Sequence, residues 1–367
     1  MKVTLVIGAI VVGGAERVLS ILGNYWVTHD WDVTIITLAG GEEPLFYPLE
    51  PKINLKQLGV SGGSPNLLAA VQAGLRRVKV LKAAIIASEP DVVISFMETA
   101  NVLTLLACWN TKIPTIVSER VYPGYTYANR FWKVLTAWTY RRASSVVLLT
   151  QNSIPFYPVS RGYRPIVIPN PVNEAVRQTV TEQLLPKPSL LAVGRLHPQK
   201  GFDLLIKAFH QIHAKYPDWH LTILGEGIMR SELEELRAKL KLTDCIHLPG
   251  KVSNVSEYLH QADIFVMPSR FEGFPNALGE AMAYGLPSIS SDCLSGPSDL
   301  INSGIDGILI PVEDVDALVT AIEDLIANPD KRQRLAQAAP QVLERFGLER
   351  VMGMWSDAVR QLVKSNR

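Results

Sequence analysis

The sequence predicts an α/β fold of two doubly wound, Rossmann-like domains facing a central cleft. Three observations carry this expectation. Short Val- and Ile-rich runs alternate with helix-length segments along the whole chain, which is the rhythm of βαβ units and a parallel sheet. The rhythm restarts after a polar seam with four prolines, IPNPVNEAVRQTVTEQLLPKP at 168–188, where an interdomain hinge belongs. The length of 367 residues exceeds one ordinary core and suits two.

In the first half, VTLVIGAI (3–10), DVTIITLA (32–39), DVVISF (91–96), PTIVS (114–118), SVVLLT (145–150) and IVIPN (166–170) read as buried strands bounded by Gly, Pro or Asp. Helices are expected at 15–28, 66–88 and 100–109. In the second half the strands are SLLAVGRL (189–196), HLTILGEG (220–227), CIHLPG (245–250), IFVMPS (264–269), PSISSD (287–292) and GILIPV (307–312). Helices near 202–214, 230–240, 253–260, 276–284 and 314–327 separate them. The tail, 344–367, repeats Val351, Met354, Trp355, Val359 and Leu362 at helical spacing.

Composition narrows the function. At 47% hydrophobic and 19% charged the chain is an ordinary soluble globular protein, and a net charge of +1 carries no nucleic-acid signature. The first 170 residues are net basic and the remainder net acidic, as for two domains with different partners. Cys108, Cys245 and Cys293 lack metal spacing, so a reduced cytoplasmic setting is expected. The apolar start superficially resembles a signal peptide, but it continues into a Gly-Gly turn and an amphipathic helix. No apolar run approaches the roughly 20 residues needed to span a bilayer.

Ligands of doubly wound sheets bind at the carboxyl ends of strands, beside helix N-termini. Four motifs sit there. In VVGGAERV (11–18), Gly13 and Gly14 open a helix after the first strand; the bland alternative is a tight turn. In VGRLHPQKG (193–201), Arg195 and Lys200 offer a planar fork and a point charge to a diphosphate; alternatively they are solvated loop charges. In LGEG (224–227), Gly225 and Gly227 permit close ligand approach, although a lone GxG is weak. In RFEGFPNALGEAMA (270–283), Glu272 stands in a turn, and Asn276 and Glu280 share a helix face. The amides of Gly273, Phe274 and Asn276 are expected to be free between the two acids. Carboxylates accept from vicinal hydroxyls and amides hold phosphate; a nucleotide-sugar carries both groups. Glu280 alone could simply complement the helix dipole.

The E-x7-E pair Glu272 and Glu280, with VGRLHPQKG, LGEG, SGPSDLI and DGILIPVEDVDAL in order, resembles the signature of retaining, metal-independent glycosyltransferases of family 4, with the GT-B fold. SFMETANV (95–102) and VSERVYPG (117–124) look similar to bacterial N-acetylgalactosaminyltransferases that extend polyprenyl-diphosphate-linked oligosaccharides. The resemblance implies that Arg195 and Lys200 bind the donor diphosphate and that Glu272 contacts sugar hydroxyls. It implies ribose contacts for Glu280 and backbone contacts from Gly273, Phe274 and Asn276. Gly14 would lie against the diphosphate. No metal and no cofactor are implied. The closing helix would return to the first domain, giving 1–172 plus 350–367 as the acceptor-binding domain and 186–349 as the nucleotide-sugar domain.

One departure stands out: many relatives carry His where this chain has Arg120 in Ser118-Glu119-Arg120. Arginine stays protonated at neutral pH, so Arg120 is expected to bind acceptor or phosphate. Glu119 is a candidate proton acceptor, or else a buried ion pair or helix cap. Two segments, 66–85 with Arg76, Arg77, Lys79 and Lys82, and 129–142 with Arg130, Phe131, Trp132, Lys133, Trp138, Tyr140, Arg141 and Arg142, mix basic, aromatic and apolar residues. That mixture suits peripheral contact with an anionic membrane at the inner face of the cell membrane; two core-packed helices with solvated charges are the alternative. The expected partners are a nucleotide-sugar, its base poorly encoded in the sequence but UDP-linked by family frequency, and a glycan or lipid-linked glycan acceptor. A two-lobed sugar-nucleotide epimerase would lack the E-x7-E pattern. A two-lobed solute-binding protein would need a signal peptide and no phosphate clamp.

Overall fold

A computed structural model of the chain describes every residue except 12, 42–44, 63–66, 126–129, 174–181 and 366–367, together with the side chains of 67, 68, 125, 130 and 131. Part of the expected hinge, and Arg130 and Phe131 of the basic-aromatic stripe, lie outside the described residues. The chain divides into two compact units, Met1–Asn170 with Val351–Arg367, and Pro171–Arg350.

The first unit contains β1 (Lys2–Ile7), α1 (Gly14–Thr28), β2 (Asp32–Thr37), β3 (Asn54–Gln57), α2 (Leu67–Ile86), β4 (Val92–Phe96), α3 (Glu98–Ala107), β5 (Thr115–Ser118), α4 (Arg130–Tyr140), β6 (Ser145–Leu148) and β7 (Pro165–Val167). All pairings are parallel, in the order β3-β2-β1-β4-β5-β6-β7. The central strands are buried on both faces, which is why they read as unbroken apolar runs. β3, NLKQ, is an edge strand of mainly polar residues with exposed ends. No apolar run announces it, and the sequence reading lacks it for that reason.

The second unit contains β8 (Ser189–Val193), α5 (Phe202–Lys215), β9 (His220–Leu224), α6 (Arg230–Lys239), β10 (Ile246–Gly250), α7 (Val255–Gln261), β11 (Ile264–Met267), α8 (Asn276–Ala283), β12 (Ser288–Ser291), α9 (Pro297–Leu300), β13 (Ile308–Ile310), α10 (Val315–Ala327), α11 (Pro329–Ala338) and α12 (Val342–Phe346). Its sheet is also parallel, in the order β10-β9-β8-β11-β12-β13. β8 leads to β9 on one side and touches β11 on the other, so the chain reverses its direction of winding between β8 and β11. That switch point is where a doubly wound sheet opens a crevice at its carboxyl edge. The core beneath joins β8, β9 and β11 to α5 and α10 through Leu190, Ile223, Val266, Phe209 and Ile322.

The tail is two helices rather than one. Gly347 ends α12 in extended backbone, and α13 (Leu348–Ser365) follows. α13 packs into the first unit: Trp355 lies against Phe96, and Trp26 Nε1 donates to Ser356 Oγ at 3.0 Å.

Candidate active site

In the second unit, the loops after β8 and β11 meet at the switch point. The β8 loop folds as HPQKG. His197 Nδ1 accepts from the Gln199 amide at 3.2 Å, Pro198 starts a 3-10 turn, and Gly201 ends it in the left-handed region at φ 66°. A side chain on Gly201 would strike the Pro268 carbonyl. Glycine is therefore required both for the turn and for the close approach of the β11 loop.

Four contacts lock the two loops together. The Arg270 amide donates to Gln199 O at 2.7 Å. Gln199 Nε2 donates to Phe271 O at 2.9 Å, and Arg270 Nη1 to Pro198 O at 2.6 Å. Lys200 Nζ donates to Glu272 Oε1 at 2.6 Å. Arg270 also grips Asp203 of α5 with two bonds of 2.9 Å and Glu313 with one of 2.7 Å. Burial would raise the Asp203 carboxyl, but the bonds and charge of Arg270 outweigh it and hold it below the usual carboxylate range.

Glu272 is buried and Lys200 largely so. Ser269 Oγ donates to the same Glu272 Oε1 at 2.6 Å. The β12 loop closes the third side, where Ser295 Oγ donates to Gly273 O at 2.9 Å. Cys293 sits near Glu272; burial, then that carboxylate's charge, pushes its thiol up to about 12, so it stays protonated at neutral pH.

The structure thus brings Lys200, Glu272 and Gly273 together and places Glu280 one turn into α8, with Asn276 at its start. Arg195 shares the β8 loop, exposed and without a hydrogen bond from its side chain among the described residues. One detail differs from expectation. The Asn276 amide is not free; it donates to Phe274 O at 3.0 Å in the turn that starts the helix. The amides of Gly273 and Phe274 have no hydrogen-bond partner among the described residues, while the Phe274 ring is buried edge-on against Phe346. Gly225 and Gly227 serve a neighbouring loop. A side chain on Gly225 would meet the Gly194 carbonyl, and one on Gly227 the Leu196 carbonyl. Those loops are stitched by Leu196 N to Glu226 O at 2.9 Å and Gly194 N to Leu224 O at 3.0 Å. Ser269, Arg270 and Asp203 are the residues that sequence reasoning missed. An arginine two residues before a site carboxylate, in a loop closing on a second acid, was the available signal for the last two.

In the first unit, Gly13 precedes α1 in extended backbone at φ −178°, which any residue adopts, and its carbonyl accepts from Tyr47 Oη at 3.1 Å. Gly14 is the exposed first residue of that helix. Glu119 and Arg120 do not form one site. Successive residues leaving β5 point to opposite faces. Glu119 turns toward α3 and α4, where Oε1 accepts from Tyr140 Oη and from Asn101 Nδ2 at 3.3 Å. Burial lifts its carboxyl to about 7, against the opposing Tyr140 bond. Arg120 turns toward α13. Its guanidinium lies 5.1 Å from the Phe96 ring centre and 5.4 Å from that of Trp355, and Nη1 donates to Asn170 Oδ1 at 2.7 Å. Burial lowers it to about 9, offset in part by the charge of Glu119. Neither side chain is presented to solvent in this structure, because each is claimed by the helices that cover its face.

Residues 12–176 match the model of Glycosyltransferase Family 4, and residues 178–342 that of Glycosyl transferases group 1. The amylovoran biosynthesis glycosyltransferase AmsD of Erwinia amylovora is 27% identical over 354 residues, 94% of this chain and 95% of its own. An undecaprenol-diphosphate-linked glycan α-1,4-N-acetyl-D-galactosaminyltransferase of Campylobacter jejuni is 26% identical over 364 residues, 99% of each chain. Among solved structures, sucrose-phosphate synthase of Thermosynechococcus elongatus superposes with TM-score 0.85 at 19% identity over 99% of both chains. Anabaena HepE in complex with UDP does so with TM-score 0.78 at 16% identity, covering 98% of this chain and 100% of its own. At these identities the structural likeness is one of fold.

Proposed function

The chain belongs to the GT-B glycosyltransferases, joining a family 4 domain to a group 1 domain, and from that premise we propose that it moves a hexose or N-acetylhexosamine from a UDP-linked donor to a lipid-carried glycan. The acceptor we assign is a polyprenyl-diphosphate-linked glycan, in assembly of a bacterial surface polysaccharide or glycoprotein glycan. The relatives in amylovoran biosynthesis and on undecaprenol-linked acceptors support that assignment.

The observation that carries the reading is the Lys200–Glu272 pair at the β8/β11 switch point. Glycosyl transfer breaks the C1–O bond of the donor and leaves negative charge on the nucleoside diphosphate. Lys200 and Arg195 are cations in the loop where that charge would develop, and preorganised charge of this kind needs no reorganisation during reaction. Glu272 accepts from the sugar hydroxyls, Glu280 from the ribose, and the amides of Gly273 and Phe274 serve oxygen acceptors between them. Retention, independence from divalent metal and action at the inner face of the membrane are part of the same proposal.

The test is incubation with a panel of UDP- and GDP-sugars and lipid-linked acceptors, read by mass spectrometry, with and without EDTA. Lys200→Ala and Glu272→Ala should each lower transfer by about 100-fold or more, and EDTA should leave the rate unchanged. Full activity in both variants would remove the site assignment.

A further inference from the structure

We propose that Ser269 is the positioning residue that keeps Glu272 aimed at the donor sugar once Lys200 has turned to the diphosphate. The inference rests on the glycosyltransferase reading above and deepens it at the same site.

Glu272 Oε1 carries two bonds of equal length, 2.6 Å from Lys200 Nζ and 2.6 Å from Ser269 Oγ. Its second oxygen, Oε2, makes no hydrogen bond among the described residues. A donor acts differently on the two partners of Oε1. Lys200 is a point charge on a flexible stem, and its side chain keeps 17% exposure. A diphosphate carries more charge than one carboxylate, so it competes for that ammonium. Ser269 is neutral and fully buried, with no charge to be drawn away. The peptide group that follows it is pinned at both its carbonyl and its amide. Ser291 Oγ donates to the Ser269 carbonyl, and the next amide, of Arg270, donates to Gln199 O.

A nearly buried carboxylate that lost Lys200 and had no serine would have an unpaired oxygen, which costs more than an ordinary hydrogen bond gains. It would rotate to recover a partner and lose its aim. With Ser269 present, Oε1 stays satisfied through the exchange. Oε2 then remains available to accept a sugar hydroxyl. The Lys200–Glu272 ion pair is thus the resting contact, and the Ser269–Glu272 bond is the one that persists in the donor complex.

The proposal is tested with the full chain, by titration calorimetry with UDP, UDP-glucose and UDP-N-acetylgalactosamine and by kcat and KM for transfer. Ser269→Ala should bind UDP within twofold of wild type, because UDP lacks the transferable sugar that Glu272 would hold. It should lose about tenfold in affinity for a UDP-sugar that the wild type binds, and at least tenfold in kcat. Ser269→Thr, which keeps the hydroxyl, should recover most of both. In a Glu272→Ala background, Ser269→Ala should add no further loss, the non-additivity of two residues acting as a unit. Equal losses for UDP and UDP-sugar, full additivity with Glu272→Ala, or an unchanged kcat would each overturn it. Were Ser269→Ala unfolded by thermal melting, Ser269→Cys, of similar size with a weak thiol donor, gives the same readouts. A wild-type protein that binds none of the three nucleotides would overturn both this inference and the reading beneath it; normal wild-type transfer with an indifferent Ser269→Ala would overturn this inference alone.

Discussion

Glu119 and Arg120 show how far single residues were legible. Their types and their place after a strand were plain in the sequence. Their surroundings were not, because the two faces of β5 are covered by helices from distant parts of the chain, α3 and α4 on one side and α13 on the other. The consequence for Glu119 is measurable. Its carboxyl is raised to about 7 by burial, above the roughly 4.3 of an unfolded glutamate. The folded state therefore holds this proton more tightly. Glu119 contributes stability that is full below the unfolded value, declines as pH rises and is gone above about 7. Wild type should lose about 2–3 kcal/mol more unfolding free energy than Glu119→Gln between pH 5 and pH 8, at about 1.4 kcal/mol per pH unit. Urea titrations at the two pH values read this directly; parallel behaviour of the two proteins would mean that the folded carboxyl is already ionised at pH 5.

Among elements, the buried strands were legible because parallel strands with both faces covered are continuous apolar runs. β3 was hidden by its polar, edge character, and the break between α12 and α13 by the unbroken helical spacing around it. E-x7-E and the β8-loop cations pointed to residues that the fold assembles, since each lies directly after a strand at the switch point. At Gly225 and Gly227 a side chain would meet the Gly194 and Leu196 carbonyls of the adjoining loop, so packing of the protein's own backbone is one reason for glycine there. A Gly-rich spacing reports that something comes close and leaves open whether that is a ligand or the protein's own backbone. Gly225→Ala combines φ 143° with the Gly194 contact and should cost about 2–3 kcal/mol. Calorimetry should show Tm lower by roughly 5–10 °C; an unchanged Tm would mean that the two loops separate freely.

At the scale of the whole molecule, the repeated βαβ rhythm made both sheets legible, and the basic and acidic halves hinted at different partners. The acceptor side was less so, because its chemistry is spread over surfaces. α3 packs against both α2 and α4. α2 exposes Val71, Leu75, Arg76 and Lys79, and α4 exposes Lys133, Val134 and Trp138, followed by exposed Arg141 and Arg142. The Trp138 and Trp109 ring centres lie 4.5 Å apart with the planes tilted by 31°, and the Arg142 guanidinium lies 3.4 Å from the Trp109 ring centre. No helix among the described residues is long and apolar enough to cross a membrane. These exposed basic and apolar residues suit the interface of an anionic bilayer. The protein should sediment with phosphatidylserine-containing vesicles at low salt and be released at high salt. Arg76→Glu with Lys79→Glu should weaken binding by at least about tenfold. Failure of the wild type to sediment at low salt would remove the membrane contact from the proposal.

The placement of α13 also bears on how the chain is made. The first unit needs Val351–Arg367, yet the ribosome must first produce the whole of residues 171–350. At typical synthesis rates that interval is roughly 10–40 s. Throughout it Phe96 and Arg120 lack Trp355, and Trp26 lacks Ser356. The later half can close before the earlier one is finished, which reverses the usual N-terminal-first order.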